Sequence, residues 1–271
     1  MPIRLAATPT FRDLLKKAKR PQVGAWVCSG SPIVAEIVAT SGLDWLLIDA
    51  EHTPNGLEAI SSQLIAVHGN MALPIVRPAE GTETSIKQLL DLGAQNLLIP
   101  MVNTAAEAEA LVREMRYPPR GIRGVGSALA RASRWNRIEN YLDKAEETIS
   151  LTVQIETDVA VSNVDEILAV DGVDAIFIGP SDLAASMGLL GQQDHPDVIA
   201  AAKKCIAAAK KAGKPVGINA FDPKIAQMYM DEGINFILVG ADVSILARAT
   251  EALADKFIPE SEQVGNTRAS Y

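Results

Sequence analysis

The chain contains little cysteine. It has two, Cys28 and Cys205, in 271 residues, and neither belongs to a CxxC pair. Two isolated thiols exclude a disulfide framework and a cysteine-rich metal site, and they are typical of a protein in the reducing cytoplasm. No apolar run approaches the length of a membrane span, and the N-terminus lacks the apolar core of a secretion signal. We therefore predict a cytoplasmic protein with no membrane partner.

Positive charge and aromatic residues are also scarce. The formal net charge is −8 and aromatic residues make up 4% of the chain, which disfavours a nucleic-acid partner. The exception is an arginine-rich segment, residues 116–148, whose arginines are Arg116, Arg120, Arg123, Arg131, Arg134 and Arg137. Such a segment could bind nucleic acid or phosphate. Long insertions in barrels are more often lids or subunit contacts, and we favour that interpretation.

Apolar residues, by contrast, make up 48% of the chain and recur in eight short runs. The runs are residues 23–27, 45–49, 73–77, 96–100, 151–156, 175–179, 215–219 and 236–240. Each run is nearly continuous rather than alternating, which is typical of parallel strands buried on both faces. Stretches rich in Ala, Leu and Glu, with helical spacing, separate the runs. Eight such β-α units predict an α/β fold, a closed (β/α)8 TIM barrel.

An open, doubly wound sheet is the alternative fold. Sheets of that kind usually carry a glycine-rich nucleotide turn after the first strand, whereas here the first run is followed by CSGSP. We therefore assign residues 1–258 to one barrel domain that begins and ends with a helix. Residues 259–271 are polar, and we expect them to form a disordered tail.

Polar side chains follow the runs at the positions where the predicted strands end. They are Glu51, His52, Arg77, Glu156, Ser181, Asp182 and Asn219. The active sites of TIM barrels lie on the face where the carboxyl ends of the strands meet. The sequence therefore predicts that these side chains share one active face.

Two of these side chains are candidate metal ligands. Glu156 and Asp182 follow consecutive runs, so their carboxylates can converge across one strand spacing. Mg²⁺ and Mn²⁺ bind one or two carboxylates and complete their coordination with water and substrate oxygens. The alternative is that both carboxylates cap the helices that follow, and the spacing alone does not decide between these interpretations.

Arg77 and His52 are candidates for substrate chemistry. An arginine at a barrel mouth binds a carboxylate, which belongs either to the substrate or to a neighbouring residue in a structural ion pair. His52 directly follows Glu51 on the predicted active face, which favours an acid–base role over a structural one. No lysine ends a strand run, so an imine mechanism is disfavoured.

Six stretches of the chain resemble the class II, metal-dependent pyruvate aldolases. They are DWLLIDAEHTPN, PIVRP, IKQLLDLGAQNLLIPMVNTAAEAEALV, RYPPRGIRGVGSALARASRWNRI, VQIET and GVDAIFIGPSDLAASMG. Together they span about residues 22 to 255. The arginine-rich stretch, and GPSDL following VQIE, are the most distinctive of these matches.

The resemblance implies a role for each matching residue. Glu156 and Asp182 would hold a divalent ion (Mg²⁺, Mn²⁺ or Co²⁺), and Arg77 would polarise the keto oxygen of pyruvate. His52 would be the base, with Asp91 as its carboxylate partner from a neighbouring subunit. The remaining matches are assigned to the surroundings of the site. Asp49 would be a further acid, Gln154 a neighbour of the metal, and Ser181 and Asp182 would bind the substrate carboxylate through their N–H groups.

The implied reaction is the cleavage of a 4-hydroxy-2-oxo acid to pyruvate and an aldehyde, with an enolate intermediate. The resemblance also implies a homo-oligomer, a hexamer built from two trimers, with C-terminal helices packed between subunits. Two alternatives remain. One is a Mg²⁺-dependent lyase acting on CoA thioesters of the malyl or citryl type, and the other is a barrel without catalytic activity that serves in binding or assembly.

Overall fold

The computed structural model of the protein describes Leu5 and residues 7–259. Its centre is a closed barrel of eight strands in sequence order, in which every strand pairs in parallel with its neighbours and the last pairs with the first. The strands are β1 (Gln22–Val27), β2 (Trp45–Asp49), β3 (Leu73–Arg77), β4 (Asn96–Ile99), β5 (Ser150–Ile155), β6 (Ala175–Ile178), β7 (Val216–Asn219) and β8 (Phe236–Ala241). The predicted TIM barrel is confirmed, and each predicted run coincides with a strand to within one residue at either end.

Helices surround the barrel. They are α1 (Phe11–Lys17), α2 (Pro32–Ala39), α3 (Leu57–Ala66), α4 (Glu83–Asp91), α5 (Ala105–Met115), α6 (Tyr141–Lys144), α7 (Asp158–Ser162), α8 (Val164–Ala169), α9 (Pro180–Ser186), α10 (Pro196–Ala212), α11 (Pro223–Asp231) and α12 (Asp242–Phe257). Local sequence sets several of their ends: α4 and α5 begin with capping boxes at Thr82 and Thr104, and α10 ends at Gly213 in the left-handed conformation. Among the described residues, no helix combines the length and hydropathy required to cross a bilayer.

The core divides into two clusters because alternate strand residues face opposite sides of the barrel wall. Leu46, Ile48 and Val76 belong to the outer cluster, which the surrounding helices cover. Trp45, Leu47, Ile75, Phe177 and Phe236 belong to the inner cluster, which fills the barrel. The alternation continues to the strand ends, so Asp49 and Arg77 share the inner side with Leu47 and Ile75.

Helix α1 closes the end of the barrel where the strands begin. Phe11 is fully buried, and its ring lies 5.3 Å from that of Trp45 and 5.0 Å from that of Phe236. Its N–H donates a hydrogen bond of 2.7 Å to Asn96 Oδ1 at the start of β4. With this end closed, the interior is reached from the opposite mouth, where the strands end.

The arginine-rich segment lies on the closed side of the barrel. It runs from the end of α5 to the start of β5, so it is an αβ connection rather than a βα connection. Arg131 donates hydrogen bonds of 3.1 Å to the carbonyls of Leu64 and Leu92, at the ends of α3 and α4. The suggestion that the segment is a lid over its own barrel mouth is therefore wrong, because αβ connections lie at the other end. Its role as a subunit contact stays a prediction.

The assignment of residues 1–258 to one domain also stays a prediction. The barrel and its helices extend from Gln22 to Phe257, with α1 before them. Residues 260–271, which make up nearly all of the predicted tail, lie outside the described residues.

Candidate active site

Arg77 lies at the mouth of the barrel, at the end of β3, and is almost fully buried. Its Nε lies 2.7 Å from Asp49 Oδ1, and its Nη1 lies 2.8 Å from Glu51 Oε2. The guanidinium also lies over the ring of Trp26, 4.4 Å from the ring centroid. Two ion pairs and a cation–π contact fix its orientation, and the two ion pairs do not use Nη2.

Asp49 organises the turn that follows β2. Its Oδ1 accepts a hydrogen bond of 3.1 Å from the N–H of Glu51, and its Oδ2 accepts one of 3.3 Å from the N–H of His52. The same carboxylate pairs with Arg77. Asp49 therefore holds the backbone of the turn against the guanidinium, which is a more specific role than the supporting acid that the sequence suggested.

His52 and Glu51 lie together at the rim of the mouth. His52 Nε2 is 3.7 Å from Glu51 Oε2, the oxygen that also pairs with Arg77. The imidazole side chain is 62% exposed, so a molecule entering the barrel can reach it. Burial raises the pKa of Glu51, and the positive charge of Arg77 opposes that rise. Glu51 thus connects the candidate base to the arginine, a function that its position in the sequence did not reveal.

Glu156 directly follows β5 and is 2% exposed. The N–H of Met101 donates a hydrogen bond of 2.6 Å to its Oε1, and the amide of Gln154 donates one to its Oε2. A Cβ atom at residue 179 would lie 2.7 Å from Oε2, so glycine at this position leaves room for the carboxylate. Burial raises the pKa of Glu156 to about 7, and the negative charge of Asp182 adds to the rise.

Ser181 and Asp182 are exposed residues in the first turn of α9. The helix begins with Pro180, and Gly179 before it has no side chain to cap the first turn. The N–H groups of Ser181 and Asp182 are therefore two of the donors that a helix start leaves without an intrahelical partner. Unpaired N–H groups at a helix start bind anions, so this turn could bind an anion such as a carboxylate.

The oxygen atoms of the side chains at this mouth are suitable ligands for a divalent cation. Four carboxylates lie there, those of Asp49, Glu51, Glu156 and Asp182, and Arg77 is the cation that pairs with two of them. Gln154 Oε1 is buried without a hydrogen-bond partner among the described residues. No group of three or more His, Cys, Asp or Glu side chains in the described part of the chain is arranged to hold a metal. A cation at Glu156 and Asp182 would thus take its other ligands from water or substrate.

Asp91 is not at this mouth. It ends α4, on the outside of the barrel, and its Oδ1 accepts a hydrogen bond of 2.7 Å from Arg123 Nη2. The Arg123 side chain is fully buried, and its guanidinium stacks on Tyr117 at 4.5 Å. A single chain therefore does not bring Asp91 to His52, and the predicted pairing of these residues would require a second subunit.

Two further residues at the mouth were not among the sequence candidates. Trp26 supports Arg77 from below and donates a hydrogen bond of 2.8 Å from Nε1 to Asn219 Oδ1. Met101 holds Glu156 through its backbone. The alternation of β1 indicates that Trp26 faces inward, since Val23, Ala25 and Val27 face the other way. No sequence signal identifies Met101, because its contribution is a main-chain N–H group.

Comparison with known proteins places these residues in a family. Residues 22–249 match the family described as HpcH/HpaI aldolase/citrate lyase. The chain belongs to this family. Its members use a divalent metal ion and act on small molecules, and the predicted resemblance to aldolases, which are carbon–carbon lyases, is confirmed.

Relatives within the family are similar to this chain over nearly its whole length. A 4-hydroxy-2-oxo-heptane-1,7-dioate aldolase of Shigella sonnei is 52% identical over 92% of this chain and 94% of its own. One from Salmonella heidelberg is 50% identical over 94% of this chain and 97% of its own. The crystal structure of an HpcH/HpaI aldolase/citrate lyase family protein from Burkholderia cenocepacia is 39% identical. It covers 90% of this chain and 97% of its own, with a TM-score of 0.87. Half-identical relatives are thus aldolases, which disfavours the CoA-thioester and non-catalytic alternatives.

Proposed function

We propose that this chain cleaves 4-hydroxy-2-oxo acids, with 4-hydroxy-2-oxoheptanedioate as a substrate, to pyruvate and an aldehyde such as succinic semialdehyde. The observation that carries the proposal is that the buried Glu156 carboxylate lies at the same barrel mouth as Arg77 and His52, since all three follow or end strands of the barrel. The half-identical aldolases support the choice of substrate. The reaction breaks the C3–C4 bond and is reversible.

A divalent cation, Mg²⁺, Mn²⁺ or Co²⁺, held by Glu156 and Asp182 would supply Lewis acidity to the keto oxygen of the substrate. Gln154 and Met101 orient Glu156 by donating to its two oxygens. The N–H groups of Ser181 and Asp182 bind the substrate carboxylate at the start of α9.

His52 takes the proton of the 4-hydroxyl group as the C3–C4 bond breaks, since its imidazole is exposed at the rim. Electrons from the broken bond form the pyruvate enolate, whose negative charge lies on the former keto oxygen. Arg77 donates to that oxygen through Nη2, which its ion pairs with Asp49 and Glu51 do not use. A proton from solvent then adds to the enolate carbon to give pyruvate, and His52 releases to solvent the proton that it took from the hydroxyl group.

The complete enzyme is, in our proposal, a cytoplasmic homo-oligomer, a hexamer made of two trimers. Asp91 lies in a groove of about 810 Å³ between α3, α4 and the arginine-rich segment, and exposed apolar side chains such as Leu129 and Trp135 line this groove. Apolar side chains of α12, Ile245, Leu246 and Phe257, are also exposed. Exposed apolar surfaces of this kind are typical of subunit interfaces. Asp91 would reach His52 of a neighbouring copy across such an interface.

The test is an aldol-cleavage assay with 4-hydroxy-2-oxoheptanedioate. Activity should disappear when EDTA removes the metal, because the enolate charge then loses the Lewis acid that stabilises it. Activity should return when Mg²⁺, Mn²⁺ or Co²⁺ is added. Borohydride should trap no pyruvate imine. Cleavage that persists in excess EDTA, or a trapped imine, would contradict the mechanism. The reverse reaction with a panel of aldehydes then identifies the preferred aldehyde.

A further inference from the structure

Met101 has an unusual backbone conformation for its residue type. It follows β4 at the barrel mouth, and its φ is +57°, in the left-handed region that favours glycine. Methionine has no short polar side chain to stabilise this conformation locally, so it costs free energy. Strained residues of this kind persist where the surrounding structure holds them, and they concentrate at functional sites.

The surrounding loop holds Met101 in place from several sides. Asn103 Nδ2 donates a hydrogen bond of 3.0 Å to the Met101 carbonyl, and Asn103 Oδ1 accepts one from the Thr157 hydroxyl group. The N–H of Val102 donates to the carbonyl of Gln154 at 3.3 Å. Asn163 Nδ2 adds a hydrogen bond of 2.9 Å to the Asn103 carbonyl. Residues 101–103 are thus fastened to β5 and to the segment that follows it.

The consequence of this conformation is the direction of one N–H group. The Met101 N–H donates to Glu156 Oε1 at 2.6 Å, while the Gln154 amide donates to Oε2. Each carboxylate oxygen keeps a second lone pair that its donor does not use and that can bind a cation. The Met101 side chain takes no part in this arrangement, and it is 51% exposed.

We propose that Met101 is a positioning residue for the metal ligand Glu156, acting through the backbone N–H that its left-handed conformation directs at the carboxylate. This inference rests on the proposed function, because it requires Glu156 to be a ligand of the cation. Hydrogen-bond donors to carboxylate ligands fix the ligand geometry, and their loss typically weakens metal binding by roughly 10- to 100-fold. The backbone conformation at residue 101, and not the side chain, determines the affinity for the cation.

The experiment measures Mn²⁺ affinity of the metal-free, full-length protein by isothermal titration calorimetry. Met101→Gly and Met101→Asn keep the N–H group and accept the left-handed conformation, so Mn²⁺ affinity should stay within about twofold of the wild type. Met101→Val places a β-branched side chain where φ is positive, and affinity should fall by roughly 10-fold or more. Met71→Val is the matched control, since Met71 is 90% exposed and distant in sequence from the site.

A second variant covers the case in which Met101→Val does not fold. Asn103→Ala leaves Met101 unchanged but removes the hydrogen bonds to its carbonyl and from Thr157. Mn²⁺ affinity should fall by at least about threefold, while the melting temperature of the metal-free protein changes little. Unchanged affinity in every folded variant of Met101 and Asn103 would overturn the inference. An equal loss in Met101→Gly and Met101→Val would also overturn it, because the side chain would then be responsible.

Glu156→Gln separates this inference from the function on which it rests. If Glu156→Gln binds Mn²⁺ as tightly as the wild type, Glu156 is not a ligand and the proposed function fails together with the inference. If Glu156→Gln loses Mn²⁺ binding but the Met101 and Asn103 variants do not, the proposed function stands and the role of Met101 is wrong.

Discussion

At the scale of single residues, the site places one arginine among several carboxylates. Arg77 pairs with Asp49 and Glu51, and Trp26 covers its face, so the guanidinium cannot rotate away from the mouth. Glu156 has no such cationic partner in the described part of the chain, and its oxygens accept hydrogen bonds from a backbone N–H and an amide. A buried carboxylate in this state favours its protonated form unless a cation neutralises it.

This electrostatic state predicts how stability depends on pH in the metal-free protein. The pKa of Glu156 is about 7 in the folded chain and near the ordinary 4.5 in the unfolded chain. The folded state therefore binds more protons between these values, so the free energy of unfolding should fall as pH rises from about 5 to about 8. The pKa shift of Glu156 corresponds to a decrease in the free energy of unfolding on the order of 3 kcal/mol.

Thermal or urea unfolding of the metal-free protein across this pH range measures the effect. Glu156→Gln, which cannot ionise, should lack this part of the pH dependence. Parallel stability–pH curves of the wild type and the Gln variant in EDTA would mean that Glu156 does not ionise with a raised pKa in the folded chain. Added Mn²⁺ should stabilise the wild type most at the high end of the range, where the carboxylate is ionised.

At the scale of the structural elements, the strands were predictable and their connections were less so. Continuous apolar runs gave the eight strands, because a parallel strand covered on both faces has no polar side. The residue after each run was then placed on the active face, as with Arg77 and Glu156. The hydrogen bonds of the Glu156 carboxylate oxygens were not predictable, since they depend on the loop at Met101 and on the open space at Gly179.

The location and role of the arginine-rich segment could not be predicted from the sequence. Its length suggested a lid or a subunit contact, but its position after α5 places it at the closed end of the barrel, where Arg131 binds the carbonyl ends of α3 and α4. Carbonyls at a helix end carry partial negative charge, so the segment uses arginine to secure two helices. Composition could not distinguish this role from ligand binding, because either requires a cationic side chain.

At the scale of the whole molecule, the chain does not complete the predicted site by itself. Asp91 lies on an outer helix, held by the buried Arg123, and it lines a groove together with exposed apolar side chains. A fully buried guanidinium that fixes a carboxylate at the surface is an organised feature rather than a chance surface pair. The proposal that Asp91 serves a neighbouring copy makes the oligomer part of the active site.

A complementation experiment tests this proposal. Asp91→Asn and His52→Ala should each lose most of their aldolase activity. Co-expressed in equal amounts they should recover activity, because some sites then combine His52 of one copy with Asp91 of the next. If the two residues of a site come from different subunits, random mixing places an intact His52 beside an intact Asp91 in about a quarter of the sites.

Glu109→Gln, at an exposed position on α5, is the control and should remain active. Mixed oligomers without activity would mean that both groups must come from one chain. Full activity in Asp91→Asn alone would remove Asp91 from the mechanism.

The most direct measurement is the exchange of the pyruvate methyl protons with D₂O, followed by proton NMR without any aldehyde. Enolate formation alone causes this exchange, so it isolates the step that Arg77 and the cation at Glu156 and Asp182 are proposed to stabilise. The account predicts rapid exchange with Mg²⁺ or Mn²⁺, loss of exchange in EDTA, and loss in Glu156→Gln. Exchange that continues at the same rate in EDTA or in Glu156→Gln would contradict it.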